Sequence, residues 1–377
     1  MTRGLVLAVL AALAGCSAPS GPVPSQAADL AEVLGGESDG FARALEPREF
    51  GFPRDHGSHP DYRTEWWYFT GHLSGADDEA FGFQFTLFRS GLPRRTPGQG
   101  GGWRARDLWM GHFAVGDFRR GDFWPFERFA RGALGLAGAS ETGFDAWLEN
   151  WRIVAEDTEQ ADSPVVLSAE AGDVALRLRL VPERPPVLQG VNGLSQKGAE
   201  PGSASYYYSM PRWRAAGSVR VPAGDFEVSG TAWLDREWST SVLEPGQAGW
   251  DWFSLQLDDG SDLMLYAMRR DDGTTDEYSS GTYVAADGTV QPLQRDDFSI
   301  EPRGTWTTDD GIEYPAAWTL RVPGAGLELE VAPRIPNQEM RLSFRYWEGA
   351  VVATGSLGGM SVGGRGFVEL TGYGRPD

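Results

Sequence analysis

Cysteine is almost absent from this sequence, because Cys16 is the only one in 377 residues. No disulfide can form within the chain, so core packing must stabilise the fold. Cations are also scarce: the chain has 33 Lys and Arg, with Lys197 the sole lysine, but 53 Asp and Glu. The net charge of -20 argues against nucleic acid and against an anionic membrane face as partners, since both require a basic surface.

A hydrophobic run long enough to span a membrane is also missing. The apolar stretch from Leu5 to Leu13 is shorter than the roughly 20 residues that a membrane helix needs. It follows one positive charge and predicts a signal peptide over residues 1–15. Its ending, Leu-Ala-Gly-Cys, resembles the lipobox of bacterial lipoproteins, which implies a diacylglycerol on Cys16. The alternative is an ordinary signal peptide cleaved nearby, with an incidental cysteine.

The segment that follows predicts how the protein is held in the cell. Residues 16–40 are rich in Ser, Pro, Gly and Ala, which is typical of a flexible tether. Ser17, rather than Asp, at the second mature position resembles the pattern sorted to the outer membrane of Gram-negative bacteria. We therefore expect a lipid-anchored protein of the cell envelope, at the outer membrane and facing the periplasm.

Several catalytic signatures are missing from the sequence. It contains no glycine loop that would hold a phosphate, no Gly-x-Ser-x-Gly motif and no recognisable Ser/His/Asp arrangement. His56 and His59 lie in a Gly- and Pro-rich loop without further ligands nearby, whereas structural zinc needs four. The sequence therefore predicts neither a metal nor a cofactor.

Glycine and aromatic residues are abundant, with 50 Gly, 15 Trp and 12% aromatics. Side chains alternate between apolar and polar over residues 81–88 and 176–180, which predicts half-buried antiparallel strands. Asp-Gly pairs such as Asp259-Gly260 predict hairpin turns. Together these features predict an all-β protein.

The two halves of the chain repeat one another in order, which predicts a duplication. The first match pairs Phe69 with Phe253, and the second pairs residues 176–182 with 327–333. The third match contains several positions: Trp213, 217–219 and 230–234 correspond to Trp347, 355–357 and 366–370. The alternative is a chance alignment of aromatic-rich strands. Duplication predicts two tandem antiparallel β-barrels, in domains 41–238 and 239–377.

Five motifs carry a family resemblance: residues 62–73 with Glu-Trp-Trp-Tyr, His112-Phe113, the triple tyrosine 206–208, residues 233–238 and residues 366–373. They resemble the AttH/CrtC-like family, which includes carotenoid 1,2-hydratase (hydroxyneurosporene synthase). The resemblance covers about residues 50–375 and implies two lipocalin-like barrels. Some members are encoded beside ABC transporter genes, which implies such a transporter as a partner. "Secreted hydrolase" is another label used for this family.

Charged residues within the aromatic strands are the candidates for catalysis, because a buried charge must be paired or functional. We name Asp235, Glu237, Glu65 and His112. Asp235 and Glu237 are two apart and share one face of a strand, while Arg236 lies on the other. A buried carboxyl with a raised pKa could protonate an alkene as a general acid.

The alternative for these charges is a structural ion-pair cluster at the junction of the domains, with Arg89 and Arg269 as partners. One departure from the family favours it. The carotenoid hydratases have a histidine beside this aspartate, whereas here Arg236 occupies the place. Arginine does not exchange protons near neutral pH.

Ligand-binding candidates are aromatic or cationic residues of the same strands, although each aromatic could equally be core. They are Trp67, Tyr68, Arg89, Tyr207, Trp233, Arg236, Trp238 and Trp252. A lipocalin-like barrel holds a small apolar ligand in its mouth. The first hypothesis is therefore a lipid-anchored protein that binds an apolar or amphipathic small molecule, such as a lipid or isoprenoid. The second is a hydratase acting on an isoprenoid alkene, and the third is glycan binding through exposed tryptophans.

Overall fold

The computed structural model describes residues 40–92, 105–240 and 243–374. These residues form almost only β-strands, arranged in two antiparallel sheets. The first sheet nearly closes into a barrel and the second forms a half-barrel, which confirms the predicted all-β, lipocalin-like architecture. Three short 3-10 turns are present at Arg54–His56, Arg295–Asp297 and Pro323–Ala325. No helix in the described part of the chain has the length and apolar character needed to cross a bilayer.

The first sheet contains thirteen strands in the order β4-β3-β2-β1-β13-β12-β9-β8-β7-β6-β5, with β10 and β11 paired to β12. Their bounds are β1 Thr64–Ser74, β2 Ala80–Gly91, β3 Asp107–Asp117, β4 Asp122–Arg131, β5 Ala137–Ala139, β6 Asp145–Leu148, β7 Trp151–Ala155, β8 Val165–Ala171, β9 Val174–Pro182, β10 Val187–Leu188, β11 Leu194–Gln196, β12 Ala204–Val221 and β13 Gly224–Ser239.

The second sheet contains ten strands in the order β17-β16-β15-β14-β23-β22-β20-β19-β18, with β21 paired to β22. Their bounds are β14 Gln247–Leu257, β15 Asp262–Arg270, β16 Ser280–Val284, β17 Val290–Leu293, β18 Ser299–Thr307, β19 Glu313–Val322, β20 Leu327–Pro333, β21 Glu339–Arg341, β22 Arg345–Leu357 and β23 Met360–Leu370.

Both sheets have the same strand order, so β1 corresponds to β14, β13 to β23 and β12 to β22. The hydrogen-bond register agrees with two of the three repeat matches. Phe69 and Phe253 occupy equivalent positions on β1 and β14. Gly217 pairs with Leu178 across β9, as Gly355 pairs with Leu329 across β20. The two sheets therefore have the relation that a duplication predicts.

The third match is correct at 217–219 but wrong at its other positions. Gly230 pairs with Leu73, and its counterpart opposite Leu257 is Gly364 rather than Gly366. A shift of two residues keeps every side chain on its face, so the alternation of the sequence does not reveal it. The match between Trp213 and Trp347 is also wrong, because Trp213 pairs with Ala232 and its counterpart opposite Gly366 is Val351.

The outer faces of the two sheets pack against each other, with β1 against β23, β2 against β22 and β12 against β14. On β1, Trp67 and Phe69 point into the first barrel, while Tyr68 joins a separate aromatic cluster between the sheets. Residues 81–88 are consequently buried on both faces, so the prediction of a half-buried strand is wrong there. It is correct for β9, whose outward side chains are exposed or partly exposed.

Candidate functional site

Strand β13 carries charged side chains on both of its faces. Asp235 pairs across the sheet with Tyr68 on one side and Ser209 on the other. Asp235 and Glu237 share the face that packs on the second sheet, and Arg236 points into the first barrel, as expected from strand geometry. Two separate clusters result, one in the interface and one in the barrel.

Asp235 is buried between the sheets and accepts hydrogen bonds only from neutral donors. Tyr207 OH donates to Oδ2, while Ser209 Oγ and Trp233 Nε1 donate to Oδ1 at 2.5 and 2.7 Å. Burial raises the pKa of Asp235 to about 7, although these donors lower it, and the charge of Glu237 raises it further. The side chain therefore exchanges a proton near neutral pH.

Aromatic rings enclose this carboxyl. Trp252 Nε1 donates to Tyr207 OH at 3.1 Å. The ring of Trp252 lies 5.2 Å from that of Tyr68 and 6.4 Å from that of Trp233, both edge-on. Four predicted ligand-binding aromatics, Tyr68, Tyr207, Trp233 and Trp252, thus surround one acid in a setting of low polarity.

Glu237 has a partner that Asp235 lacks. Lys197 Nζ lies 3.0 Å from Glu237 Oε1, and it also lies over the rings of Tyr207 and Tyr266 at 5.2 and 4.6 Å. Burial lowers the pKa of Lys197, but Glu237, Tyr266 and Asp235 together outweigh that effect and the pKa is raised overall. The lysine stays charged, so the ion-pair interpretation describes Glu237.

Sequence analysis missed two further acids at this interface, Glu348 and Glu369, which are neighbours across β22 and β23. Tyr68 OH donates to Glu348 Oε1 at 2.7 Å, and Trp250 Nε1 donates to Glu369 Oε1. Burial raises the pKa of Glu348 well above its ordinary value and that of Glu369 to about 7. We call Asp235, Glu348 and Glu369 the interface cluster.

The register explains why Glu369 was overlooked. Leu234 pairs with Phe69, and Val368 pairs with Phe253, so Leu234 and Val368 are equivalent. Glu369 is therefore the counterpart of Asp235. The displaced third match aligned Glu369 with an aromatic residue and hid this relation.

Glu65, Arg89 and Arg236 form a second buried group inside the first barrel, which we call the barrel cluster. Glu65 is ion-paired with both arginines, and Arg89 also lies 2.7 Å from Asp107. Burial raises the pKa of Glu65, but the two arginines outweigh it and hold the pKa well below its ordinary value. Glu65 is thus a permanent anion, unsuited to donate a proton.

Two predicted ligand-binding tryptophans belong to the barrel cluster. The guanidinium of Arg236 lies 3.9 Å from the ring centre of Trp67, and the ring of His59 stacks on Trp238 at 3.7 Å. Both tryptophans are fully buried in the packed barrel. Arg269, proposed as a partner of Asp235, instead pairs with Asp251 at 2.8 Å.

Two histidines lie in the interface, and both are neutral. Burial lowers the pKa of His112 to about 3 and that of His72 to about 4. His112 Nδ1 lies 2.7 Å from Tyr346 OH, while its buried Nε2 has no described hydrogen-bond partner. His72 Nε2 donates to the carbonyl of Gly366 at 2.9 Å. His112 is next to the aromatic interface but does not contact Asp235 directly.

A family model for AttH-like proteins matches residues 43–373. The chain belongs to the AttH-like family. The resemblance expected from the sequence motifs is therefore confirmed. Among functionally curated proteins, none matches this AttH-like sequence significantly.

Two crystal structures resemble this AttH-like fold. An AttH protein from Nitrosomonas europaea is 35% identical, with 88% of this chain and 100% of that one covered and a TM-score of 0.78. Kievitone hydratase from Nectria haematococca is 15% identical, with 88% and 98% covered and a TM-score of 0.66. At that identity the second likeness concerns the fold alone.

Proposed function

We propose that this protein binds an apolar, unsaturated small molecule between its two sheets and adds water to it by acid catalysis. Asp235 is the proton donor. The observation that carries the proposal is a buried carboxyl without an ion-pair partner among the described residues, enclosed by aromatic rings and holding its proton near neutral pH. A general acid works best when its pKa lies near the working pH.

The chemistry follows from these surroundings. The Asp235 carboxyl transfers its proton to one alkene carbon, and the π electrons form the new C–H bond. The adjacent carbon becomes a cation, which the faces of Trp252 and Tyr68 stabilise. Water then forms the C–O bond and releases a proton, so the product is the alkene plus one water molecule.

Two further facts support a hydratase. Kievitone hydratase shares the fold, and the sequence motifs resemble the AttH/CrtC-like family, a resemblance that implies a relation to carotenoid 1,2-hydratase. The arginine at 236, where those enzymes have histidine, points into the barrel toward Glu65. Arg236 therefore lies on the opposite face of β13 from Asp235, and its presence in place of histidine does not change the surroundings of the Asp235 carboxyl.

The test uses three alkenes, kievitone, neurosporene and squalene, incubated with the protein in water and in 18O-labelled water. We expect a product heavier by one water molecule that carries the label. Asp235→Asn should lower the rate by about 100-fold or more, the usual contribution of a general acid. Glu227→Gln changes an exposed carboxyl of the same strand and serves as the control. Binding of an alkene without hydration would favour the binding-protein hypothesis instead.

We also propose that the protein is exported and held at the outer membrane by a lipid on Cys16, facing the periplasm, with an ABC transporter as partner. Cys16 and the tether lie outside the described residues. The support is the lipobox-like ending of the apolar segment and the family resemblance. Cys16→Ser should move the protein from the membrane to the soluble exported fraction. An unchanged membrane pool would contradict the lipid anchor.

A further inference from the structure

Glu348 and Glu369 form a pair of neighbouring carboxyls across β22 and β23. The charge of Glu369 adds to burial in raising the pKa of Glu348. Glu348 is fully buried, and its Oε2 receives no hydrogen bond from a described donor. Two ionised carboxylates repel each other and neither can donate, so their proximity favours a proton on one of them.

The proton is on Glu348. Each carboxyl accepts one hydrogen bond that favours its charged form, Glu348 from Tyr68 and Glu369 from Trp250. Glu348 is fully buried whereas Glu369 is only partly buried, and burial raises the pKa of Glu348 well above its ordinary value but that of Glu369 only to about 7. Near neutral pH the pair therefore consists of a Glu348 carboxylic acid bonded to a Glu369 carboxylate.

The pair lies close to the acid Asp235. The ring of Trp252 packs against Tyr68, which donates to Glu348, and Trp252 also donates to Tyr207, which donates to Asp235. Asp235 and Glu348 are thus linked through three aromatic side chains. The titratable groups acting on the pair are Tyr68, Tyr346, Asp235 and Glu237, with Lys197 beyond Glu237.

Unpaired polar atoms on the same faces indicate that the interface accepts water or a polar part of a ligand. Thr70 Oγ1, Gln84 Oε1 and Ser254 Oγ are buried and have no described hydrogen-bond partner. Thr70 follows Tyr68 by two residues on β1, and Ser254 follows Trp252 by two on β14. Buried polar atoms of this kind usually bond to water or ligand.

We propose that the Glu348–Glu369 pair is the proton acceptor of the site, with Glu369 taking the proton that water releases as it adds to the substrate cation. This inference rests on the proposed hydration. Asp235 loses one proton to carbon and Glu369 gains one from water, so a single transfer from Glu369 to Asp235 restores both groups. That transfer is nearly balanced in energy, because the pKa values of the two carboxyls are both about 7.

The catalytic test compares Glu369→Gln and Glu348→Gln with the wild type on the alkene hydrated in the assay above. We expect Glu369→Gln to lower kcat by about 100- to 10,000-fold, as loss of a general base does. The acidic limb of the pH profile should disappear with it. Glu369→Asp should restore part of the rate, and Glu227→Gln should behave as wild type. Wild-type kcat and pH profile in Glu369→Gln would overturn the acceptor role and leave the role of Asp235 intact.

A second measurement needs no substrate. At pH 9, we expect the infrared carbonyl band of a protonated carboxylic acid in the wild type and in Asp235→Asn, and its loss in Glu348→Gln. Absence of that band from the wild type would overturn the shared proton. If no alkene is hydrated, the acceptor role is overturned together with the proposed function, while the band still decides whether the pair holds a proton.

Discussion

The barrel cluster and the interface cluster meet opposite faces of β13, through the adjacent residues Arg236 and Asp235. The pKa values of their buried acids are shifted in opposite directions. In the barrel cluster, Glu65 contacts two arginines and remains an anion. In the interface cluster, Asp235 has only neutral donors and its pKa rises to about 7. The comparison shows that burial by itself does not identify a catalytic acid, because nearby opposite charges and hydrogen-bond donors also shift the pKa of a buried carboxyl.

The site residues predicted from the sequence fall into the same two groups, one in the barrel and one in the interface. Arg89, Arg236, Trp67 and Trp238 belong with Glu65 in the barrel, where they stabilise a packed interior. The aromatic candidates around Asp235 belong to the interface. Lipocalin-like proteins bind their ligands in the mouth of the barrel. We propose instead that this protein binds its ligand between the two sheets.

The largest effect is expected from breaking the barrel cluster. Glu65→Gln leaves Arg89 and Arg236 buried with their shared anion gone. It should lower the free energy of unfolding by about 3 to 5 kcal/mol, the usual loss when one partner of a buried pair is removed. Urea unfolding measures this. Glu156→Gln breaks an exposed pair with Arg179 and should change nothing measurable. An unchanged urea midpoint in Glu65→Gln would refute a stabilising role for the cluster.

A smaller effect, visible only as a pH dependence, is expected at Asp235. Its folded pKa of about 7 exceeds its unfolded value, so between about pH 4 and pH 7 the folded state binds more protons. Stability from this group is therefore greatest at low pH and is lost as the pH rises, by up to about 1.4 kcal/mol per pH unit. Asp235→Asn should remove that slope.

Unfolding free energies of the wild type and Asp235→Asn at pH 5 and at pH 7.5 test this expectation. A constant cost of the substitution cancels in the comparison of the two pH values. Equal pH dependence in both proteins would mean that Asp235 is ionised throughout, as Glu65 is.

The smallest effect is expected at the ion pair of Lys197 and Glu237. Lys197 has 16% of its side chain exposed, so water weakens the interaction. A double-mutant cycle with Lys197→Met and Glu237→Gln should give a coupling on the order of 1 kcal/mol. A coupling free energy as large as the effect of Glu65→Gln would mean that the Lys197–Glu237 pair stabilises the fold as strongly as the barrel cluster does.

The sequence by itself determined the β-architecture, the duplication and the separation of Asp235 from Arg236. These follow from local alternation, because successive side chains of a strand point to opposite faces in any environment. Alternation also placed Tyr207 and Trp233 on the correct strands. It did not distinguish registers that differ by two residues, which is why Glu369 was aligned with an aromatic residue instead of with Asp235.

Only the tertiary structure decided which acid near β13 can be protonated near neutral pH, namely Asp235 rather than Glu65. The contact between Tyr68 and Glu348 joins residues 280 positions apart, and it exists because the outer faces of the two sheets pack on each other. Arg236 likewise pairs with Glu65 of the adjacent strand β1 and not with its neighbour in sequence. Protonation depends on burial and on the nearest opposite charge. Long-range packing sets both of these, so the pattern along the strand does not contain them.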